Sequence, residues 1–284
     1  MKIQVFPDAE ALSQTAAALF VQLSNDAVDR HGRFTVALSG GTTPKRVHEF
    51  LAQGMFRDNI PWEKVHVFWG DERWVPMDDP RSNAKMAFDT LLDFVPVPRH
   101  QIHPMRKDVS PQTGGAETEV PGADGAEMDI PEMYVPSTEV AQAAQPQAKS
   151  PEEAAAQYEA LLKTYFPEQA PRFDLVFLGL GDDGHTASLF PNTTVLYEEG
   201  RWVKEIFVEK VGMDRITLTI PAINWADNII FLVAGANKAQ VVQEVLEGPY
   251  QPDRLPAQLI QPANSEICWL LDEAAAAKIK RTEK

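Results

Sequence analysis

Short apolar runs recur along the chain and are separated by amphipathic stretches. The runs show little alternation of apolar and polar side chains, which is typical of strands covered on both faces of a sheet. The runs predicted as strands lie at residues 3–6, 34–38, 65–69, 174–178, 229–234 and 267–271. Because strands and helices alternate, the pattern predicts a three-layer α/β/α domain with a mainly parallel, Rossmann-like sheet. Ligands bind such sheets where the strands end.

Three of the predicted helices have a clear capping or opening residue. Asp8 is placed to cap a long helix, and Pro44 to open a second one. Ser150 begins a Ser-Pro-Glu-Glu capping box with proline at the first helical position. The long first helix is predicted to bury a stripe formed by Leu12, Ala16, Leu19, Phe20 and Leu23.

Residues 107–150 differ in composition from the rest of the chain. They are rich in Pro, Gly, Ala and Glu, and they hold eight acidic residues against two basic ones. A segment with so few bulky apolar groups cannot offset its ordering entropy. We therefore predict a single α/β domain over residues 1–284, interrupted by a disordered acidic insertion at 107–150.

Composition and charge exclude several classes of protein. The 44% hydrophobic and 24% charged content is ordinary for a soluble globular chain. A net charge of −15 opposes broad contact with nucleic acid or an anionic membrane. The lone Cys268 excludes an internal disulfide and a Cys-based zinc cluster. No stretch is typical of a signal peptide or a membrane span, so a cytoplasmic protein is expected.

Two segments that follow predicted strands carry groups suited to an anionic ligand. Ser39-Gly40-Gly41-Thr42 leads directly into a helix, so its backbone N–H groups and hydroxyls can receive a phosphate. An ordinary strand-to-helix turn is the alternative. Asp71, Glu72 and Arg73 follow the next strand and lie between two tryptophans, where a solvated charged turn is the alternative.

A third segment, residues 179–191, contains the pattern G-x-G-x-x-G. Asp182 and Asp183 would repel a pyrophosphate there, and Pro191 ends any following helix too early for a dinucleotide-binding unit. We interpret the segment as a glycine-rich turn that directs Asp183 and His185 into a cleft. The Asp-x-His pair alone is a weak metal-binding pattern, and no metal is predicted.

Two further cations lie close to predicted strands. Arg215 begins an alternating strand, and Lys238 follows an apolar strand and begins a helix. Each is a candidate for ligand contact, and an ordinary surface position is the alternative for both.

Taken together and in this order, these segments resemble those of 6-phosphogluconolactonases, in the wider glucosamine-6-phosphate deaminase/isomerase superfamily. The resemblance covers nearly the whole chain outside the insertion, and its most specific parts are Gly70-Asp71-Glu72-Arg73, Ser82-Asn83 and residues 179–191. Deaminases share the Asp-Gly-His turn but continue with a run containing Asn and Glu. Here Ala187-Ser188-Leu189-Phe190-Pro191 follows, which is similar to the lactonase form. The resemblance implies the glucosamine-6-phosphate deaminase-like fold.

The resemblance also implies an activity, namely hydrolysis of 6-phospho-D-glucono-1,5-lactone to 6-phosphogluconate in the oxidative pentose phosphate pathway. It implies a small sugar-phosphate lactone as the only partner and neither a cofactor nor a metal. The family's phosphate anchors correspond to the Gly40-Gly41-Thr42 loop next to Ser39, to Arg215 and to Lys238.

The same resemblance implies that His185 is the catalytic residue and places Asp71 and Arg73 in a second active-site loop. Histidine suits this chemistry because its ordinary pKa of ~6.5 lets it take a proton from water and return it to the ring oxygen. Asp183 is a candidate to orient His185, and Arg73 is a candidate to stabilise the oxyanion.

Three other functions remain open at this point. Ser39, Asp71 and His185 follow the chain order of an esterase triad, although Ala37-Leu38-Ser39-Gly40-Gly41 lacks the first glycine of G-x-S-x-G. An amino-sugar-phosphate isomerase or deaminase is disfavoured by the run after His185. A non-enzymatic sugar-phosphate sensor is disfavoured by the acidic charge and the lack of a basic DNA-binding segment.

Overall fold

A computed structural model of the chain describes residues 1–106, 147–167 and 170–280. Its strands are β1 (Lys2–Phe6), β2 (Phe34–Leu38), β3 (Val65–Trp69), β4 (Asp71–Arg73), β5 (Leu175–Leu178), β6 (Val203–Val208), β7 (Met213–Leu218), β8 (Asn228–Val233) and β9 (Glu266–Asp272). Six of them form a parallel sheet in the order β1-β9-β8-β5-β2-β3. The predicted strands and the mainly parallel sheet are therefore confirmed.

Helices cover both faces of this sheet, as predicted for a three-layer domain. They are α1 (Ala9–His31), α2 (Thr42–Leu51), α3 (Gly54–Arg57), α4 (Asn83–Ala87), α5 (Pro151–Tyr165), α6 (Ile220–Asn224) and α7 (Ala239–Glu247). In α1 the Asp8 carboxylate accepts the Ala11 N–H at 2.8 Å, and Gly32 ends the helix with a φ of 83°. No helix in the described ranges is long and apolar enough to cross a membrane.

Two details of the helices differ from the prediction. Leu19 and Leu23 are half-buried, whereas Ser13 and Ser24 are fully buried in α1. A serine is tolerated there because its hydroxyl donates to a carbonyl one turn earlier, as Ser13 does to Ala9 at 2.7 Å. Helix α2 begins at Thr42 rather than at Pro44.

The insertion predicted at 107–150 lies mostly outside the described residues. The structure describes only its last four positions, 147–150, which lead into α5. There Ser150 is the N-cap, and its hydroxyl accepts the Glu153 N–H at 3.1 Å. The predicted helix start is therefore confirmed.

A second, antiparallel sheet of the order β4-β7-β6 was not predicted. Residues 71–73, for which the sequence left a solvated charged turn open as the alternative, form its strand β4 and bury Asp71 and Glu72. The Glu72 carboxylate accepts the backbone N–H groups of Asn83 and Ala84, each at 2.8 Å, and so anchors the start of α4. Burial raises the pKa of the Glu72 carboxyl, although these hydrogen bonds oppose the shift.

The topology brings the predicted site segments to one edge of the main sheet. Strands β8, β5, β2 and β3 are parallel neighbours, so their carboxyl ends lie side by side. The chain runs outward from β2 to β3 and then returns to place β5 on the other side of β2. Ligands bind open α/β sheets where the strand order reverses in this way, so a site is expected between β2 and β5.

Candidate active site

A cavity of about 320 Å³ lies at the carboxyl ends of β2 and β5. It brings together most of the side chains and loops predicted from the sequence. Asp183 and Thr42 are the predicted residues that do not line it. The lining residues are Ser39, Gly40, Gly41, Asp71, Arg73, Gly179, Leu180, Gly181, Asp182, His185, Thr186, Ala187, Lys210, Arg215 and Lys238.

The glycine-rich turn after β5 fixes the position of His185. The Gly181 N–H donates to the His185 carbonyl at 2.8 Å, and Gly184 turns the chain with a φ of 78°. The imidazole lies directly on Gly181, because a Cβ at this position would be 2.0 Å from His185 Nδ1. Gly181 is therefore required by the packing of the histidine, and the turn does not form a dinucleotide-binding loop.

His185 forms a hydrogen-bonded pair with Asp183. Its Nδ1 lies 2.5 Å from Asp183 Oδ1, and its ring stacks on Phe190 with centroids 4.0 Å apart. Nε2 makes no hydrogen bond to any residue in the described part of the chain. A carboxylate on Nδ1 favours the tautomer in which Nδ1 carries the proton and Nε2 is free to accept one.

The Asp183 carboxylate stays ionised beside this histidine. Burial raises the pKa of this carboxyl, but hydrogen bonds from His185 and Lys210 lower it by more. The Lys210 Nζ lies 2.6 Å from Asp183 Oδ2. The net result is a pKa well below the usual range for aspartate. Lys210 lies in the short turn Glu209–Val211 between β6 and β7. Asp183 is therefore ionised at neutral pH, and it links the turn after β5 to the second sheet.

Two arginines lie beside each other on neighbouring strands of the second sheet. Arg73 of β4 and Arg215 of β7 are direct partners in the antiparallel register. Both Nε atoms are buried and have no hydrogen-bond partner among the described residues. Burial lowers the pKa of the Arg215 guanidinium, and nearby Asp71 partly opposes the shift. Because like charges opposite each other destabilise a sheet, this arrangement suits a bound anion.

Asp71 pairs with Arg215, and no hydrogen bond or ion pair joins it to His185 in the described part of the chain. Its Oδ2 accepts the Ser188 hydroxyl at 2.6 Å and lies 3.8 Å from Arg215 Nη1. Asn83 donates to the Asp71 carbonyl at 2.9 Å from the start of α4. Asp71 is only 5% exposed, so its carboxylate acts on the site through its neighbours.

The loop after β2 has the backbone geometry of an anion-binding turn. Gly41 is the N-cap of α2 with a φ of 108°, a conformation that favours glycine. Gly40 packs against Asn83, whose Oδ1 would lie 1.9 Å from a Cβ there. The free N–H groups of the first turn of α2 therefore begin at the cavity wall, although the Thr42 side chain does not line it.

The esterase arrangement suggested by chain order is not formed. The Ser39 hydroxyl donates to the Gly40 carbonyl at 3.4 Å, and the Nδ1 of His185 is engaged by Asp183 rather than by Asp71. In a serine triad the histidine bridges the nucleophile and the acid. The structure therefore does not join Ser39, Asp71 and His185 into such a triad.

Sequence reasoning assigned no role to four residues that shape this site. Asp182 pairs with Lys238, Lys210 with Asp183, Ser188 with Asp71, and Asn83 supports both Asp71 and Gly40. Asn83 and Ser188 lie in the motifs that carried the family resemblance. Lys210 had no signal, because its position depends on the pairing of β6 with β7. No cluster of three or more His, Cys, Asp or Glu side chains suited to a metal occurs in the described ranges.

Comparison with known proteins identifies the family to which the chain belongs. The sequence profile of the family described as glucosamine-6-phosphate isomerases/6-phosphogluconolactonase matches residues 7–269. Proteins named 6-phosphogluconolactonase from Synechocystis sp. and Nostoc sp. are each 38% identical to this chain, over 98% of it and 98% of their own length.

Solved structures give the same result. The 6-phosphogluconolactonase from Trypanosoma brucei is 25% identical, with a TM-score of 0.74 over 98% of each chain. A monomeric glucosamine-6-phosphate deaminase, 18% identical, has a TM-score of 0.71 over 98% of this chain and 100% of its own, and it shows the shared fold alone. Fold and site thus define an α/β enzyme of the glucosamine-6-phosphate deaminase-like class. The chain belongs to the glucosamine-6-phosphate isomerase/6-phosphogluconolactonase family, as its motifs predict.

Proposed function

We propose that this protein hydrolyses 6-phospho-D-glucono-1,5-lactone to 6-phospho-D-gluconate, a step of the oxidative pentose phosphate pathway. The observation that carries the proposal is the His185–Asp183 pair beside a small cavity lined by four cationic side chains, in a chain of net charge −15. A concentration of cations in so acidic a protein suits a phosphorylated ligand. The names of its relatives support the same substrate.

His185 acts as the general base in this proposal. The Asp183 carboxylate accepts a hydrogen bond from Nδ1–H and fixes the ring, so that Nε2 removes a proton from water while the water oxygen attacks the lactone carbonyl carbon. The tetrahedral intermediate then breaks its bond to the ring oxygen, and that oxygen receives the proton held on Nε2. One water is consumed, a carboxylic acid and a hydroxyl are formed, and His185 returns to its starting state.

The cations divide between the two negative centres of the reaction. Arg215 and Lys238, together with the backbone N–H groups at Gly40 to Thr42, hold the phosphate in this proposal. Arg73 stabilises the oxyanion, since a guanidinium in a partly buried site interacts more strongly with developing charge than it would in water. Asp71 is then a positioning residue, because it touches Arg215 and Ser188 rather than the reacting atoms.

The proposal is tested by comparing two lactones that differ only in the phosphate. Rates of hydrolysis of 6-phosphogluconolactone and gluconolactone are measured after subtraction of the uncatalysed reaction. Each charged hydrogen bond to the phosphate contributes on the order of 1.5–3 kcal/mol, so two of them predict a kcat/KM ratio of at least about 10². Equal rates on both lactones, or release of ammonia from glucosamine 6-phosphate as the faster reaction, would contradict it.

A further inference from the structure

Three of the four cations of the cavity are paired with acids, Arg215 with Asp71, Lys210 with Asp183 and Lys238 with Asp182, and these acids differ in how firmly they are held. Asp71 is buried and Asp183 is hydrogen-bonded to His185, so neither carboxylate can move without disturbing the site. Asp182 is different, because its side chain is 65% exposed and its hydrogen-bond partners among the described residues lie in the loop after β8. There it accepts hydrogen bonds from Lys238 Nζ and, at 3.1 Å, from Asn237 Nδ2.

We propose that Asp182 is a specificity-determining residue that competes with the substrate phosphate for Lys238. When no phosphate is bound, the Asp182 carboxylate pairs with the Lys238 ammonium group. An arriving phosphate displaces this carboxylate toward solvent. This inference rests on the proposed function, since it takes Lys238 as a phosphate ligand.

The placement of the pair supports such an exchange. Lys238 is only 21% exposed, so its ammonium group depends on a nearby anion. A phosphate dianion is a stronger partner than a single carboxylate, because it also reaches Arg215 and the N–H groups at the start of α2. A neutral sugar has no charge with which to displace Asp182.

The exchange also affects the product. Hydrolysis converts a neutral lactone into a carboxylate and leaves the phosphate attached. The Asp182 carboxylate then repels the phosphate of the product and takes its place as the partner of the Lys238 ammonium group. Asp182 thus raises the dissociation rate of the product at the expense of affinity for every phosphorylated ligand.

The inference predicts that removing an acid from the site strengthens phosphate binding. Asp182→Asn keeps the size of the side chain and one hydrogen-bonding oxygen but removes its charge. The Kd of inorganic phosphate, measured by calorimetry, should fall about three- to tenfold, the effect of removing one partly exposed ion pair and one like charge. The KM for 6-phosphogluconolactone should fall by a similar factor, whereas the KM for gluconolactone should show no such fall.

Matched variants separate this effect from others. Asp26→Asn changes the net charge equally at an exposed position of α1, and its Kd for phosphate should stay within about twofold of the parent. Adding Asp182→Asn to Lys238→Met should give little or no strengthening. Weaker or unchanged phosphate binding by Asp182→Asn would overturn the inference, and weaker binding would show that Asp182 holds Lys238 in place.

Calorimetry with phosphate requires no turnover, so the two proposals can fail separately. Stronger phosphate binding by Asp182→Asn in a protein without lactone hydrolysis would refute the proposed function and support the inference. Hydrolysis that prefers the phosphorylated lactone, with unchanged phosphate binding by Asp182→Asn, would support the proposed function and refute the inference.

Discussion

Replacing Gly181 with alanine should disable the enzyme without unfolding it. A Cβ at Gly181 would lie 2.0 Å from His185 Nδ1 and 2.1 Å from Cε1. Ordinary contact begins at 3.4 Å, so the ring must retreat by about 1.4 Å. It cannot do so and keep its 2.5 Å hydrogen bond to Asp183 and its stacking on Phe190.

The expected cost follows from this displacement. A misplacement of 1 Å can cost about 10² in rate, and loss of a positioned base costs about 10²–10⁴. We therefore expect kcat for 6-phosphogluconolactone to fall at least about 10²-fold, with a smaller change in KM, because the three atoms nearest the added methyl group all belong to His185 and none to a cation of the cavity. Circular dichroism should show an unchanged fold.

Gly179→Ala is the matched control in the same turn. A Cβ there would lie 4.0 Å from the Ser39 hydroxyl, an ordinary contact, so this variant should lose far less activity. Equal activity of Gly181→Ala and the parent would refute the idea that the His185 ring acts from its position on Gly181. Equal losses in both variants would mean that the turn tolerates no side chain for reasons unrelated to His185.

Three further predictions follow from the structure and the composition. Lys238→Ala or Arg215→Ala should raise KM for the phosphorylated lactone about tenfold or more while hydrolysis of gluconolactone changes little, and steady-state kinetics showing equal losses on both would exclude these residues from phosphate binding. Burial lowers the pKa of His48 to about 4, whereas the unfolded chain takes up this proton near 6.5, so stability should fall as pH drops from 6.5 toward 4. The loss from this group should reach about 2 kcal/mol at pH 5, and urea titrations of His48→Gln should show a smaller loss. Residues 107–146 should be dispensable, as judged by the thermal midpoint and activity of a deletion variant, and unfolding of that variant would contradict this.

The main sheet could be predicted because its strands are unbroken apolar runs. All five residues of β2 are buried, which fits a strand between two helical layers. The second sheet could not be predicted in the same way. Its strand β4 has three charged residues, and they are stabilised by distant partners such as the N–H groups that Glu72 accepts at the start of α4.

The candidate site, too, could be predicted from the sequence only in part. The family resemblance implied that His185, Arg215 and Lys238 belong to one site, whereas the residues alone left an ordinary surface position open for Arg215 and Lys238. The contact between Asp183 and His185 could not be derived, since it depends on the left-handed turn at Gly184. The contact with Lys210 depends on the register of β6 and β7, which sequence spacing does not determine.

The central claim is that a histidine-activated water attacks the lactone, and the activity of His185→Ala beside Ser39→Ala tests it most directly. In 6-phosphogluconolactone hydrolysis, His185→Ala should lose about 10²–10⁴ in kcat with KM nearly unchanged, and added imidazole should restore part of the rate. Ser39→Ala should lose far less, because Ser39 does not contact His185. A Ser39→Ala enzyme as inactive as His185→Ala, together with an acyl group on Ser39 detected by mass spectrometry of the parent, would contradict the account and identify a serine nucleophile.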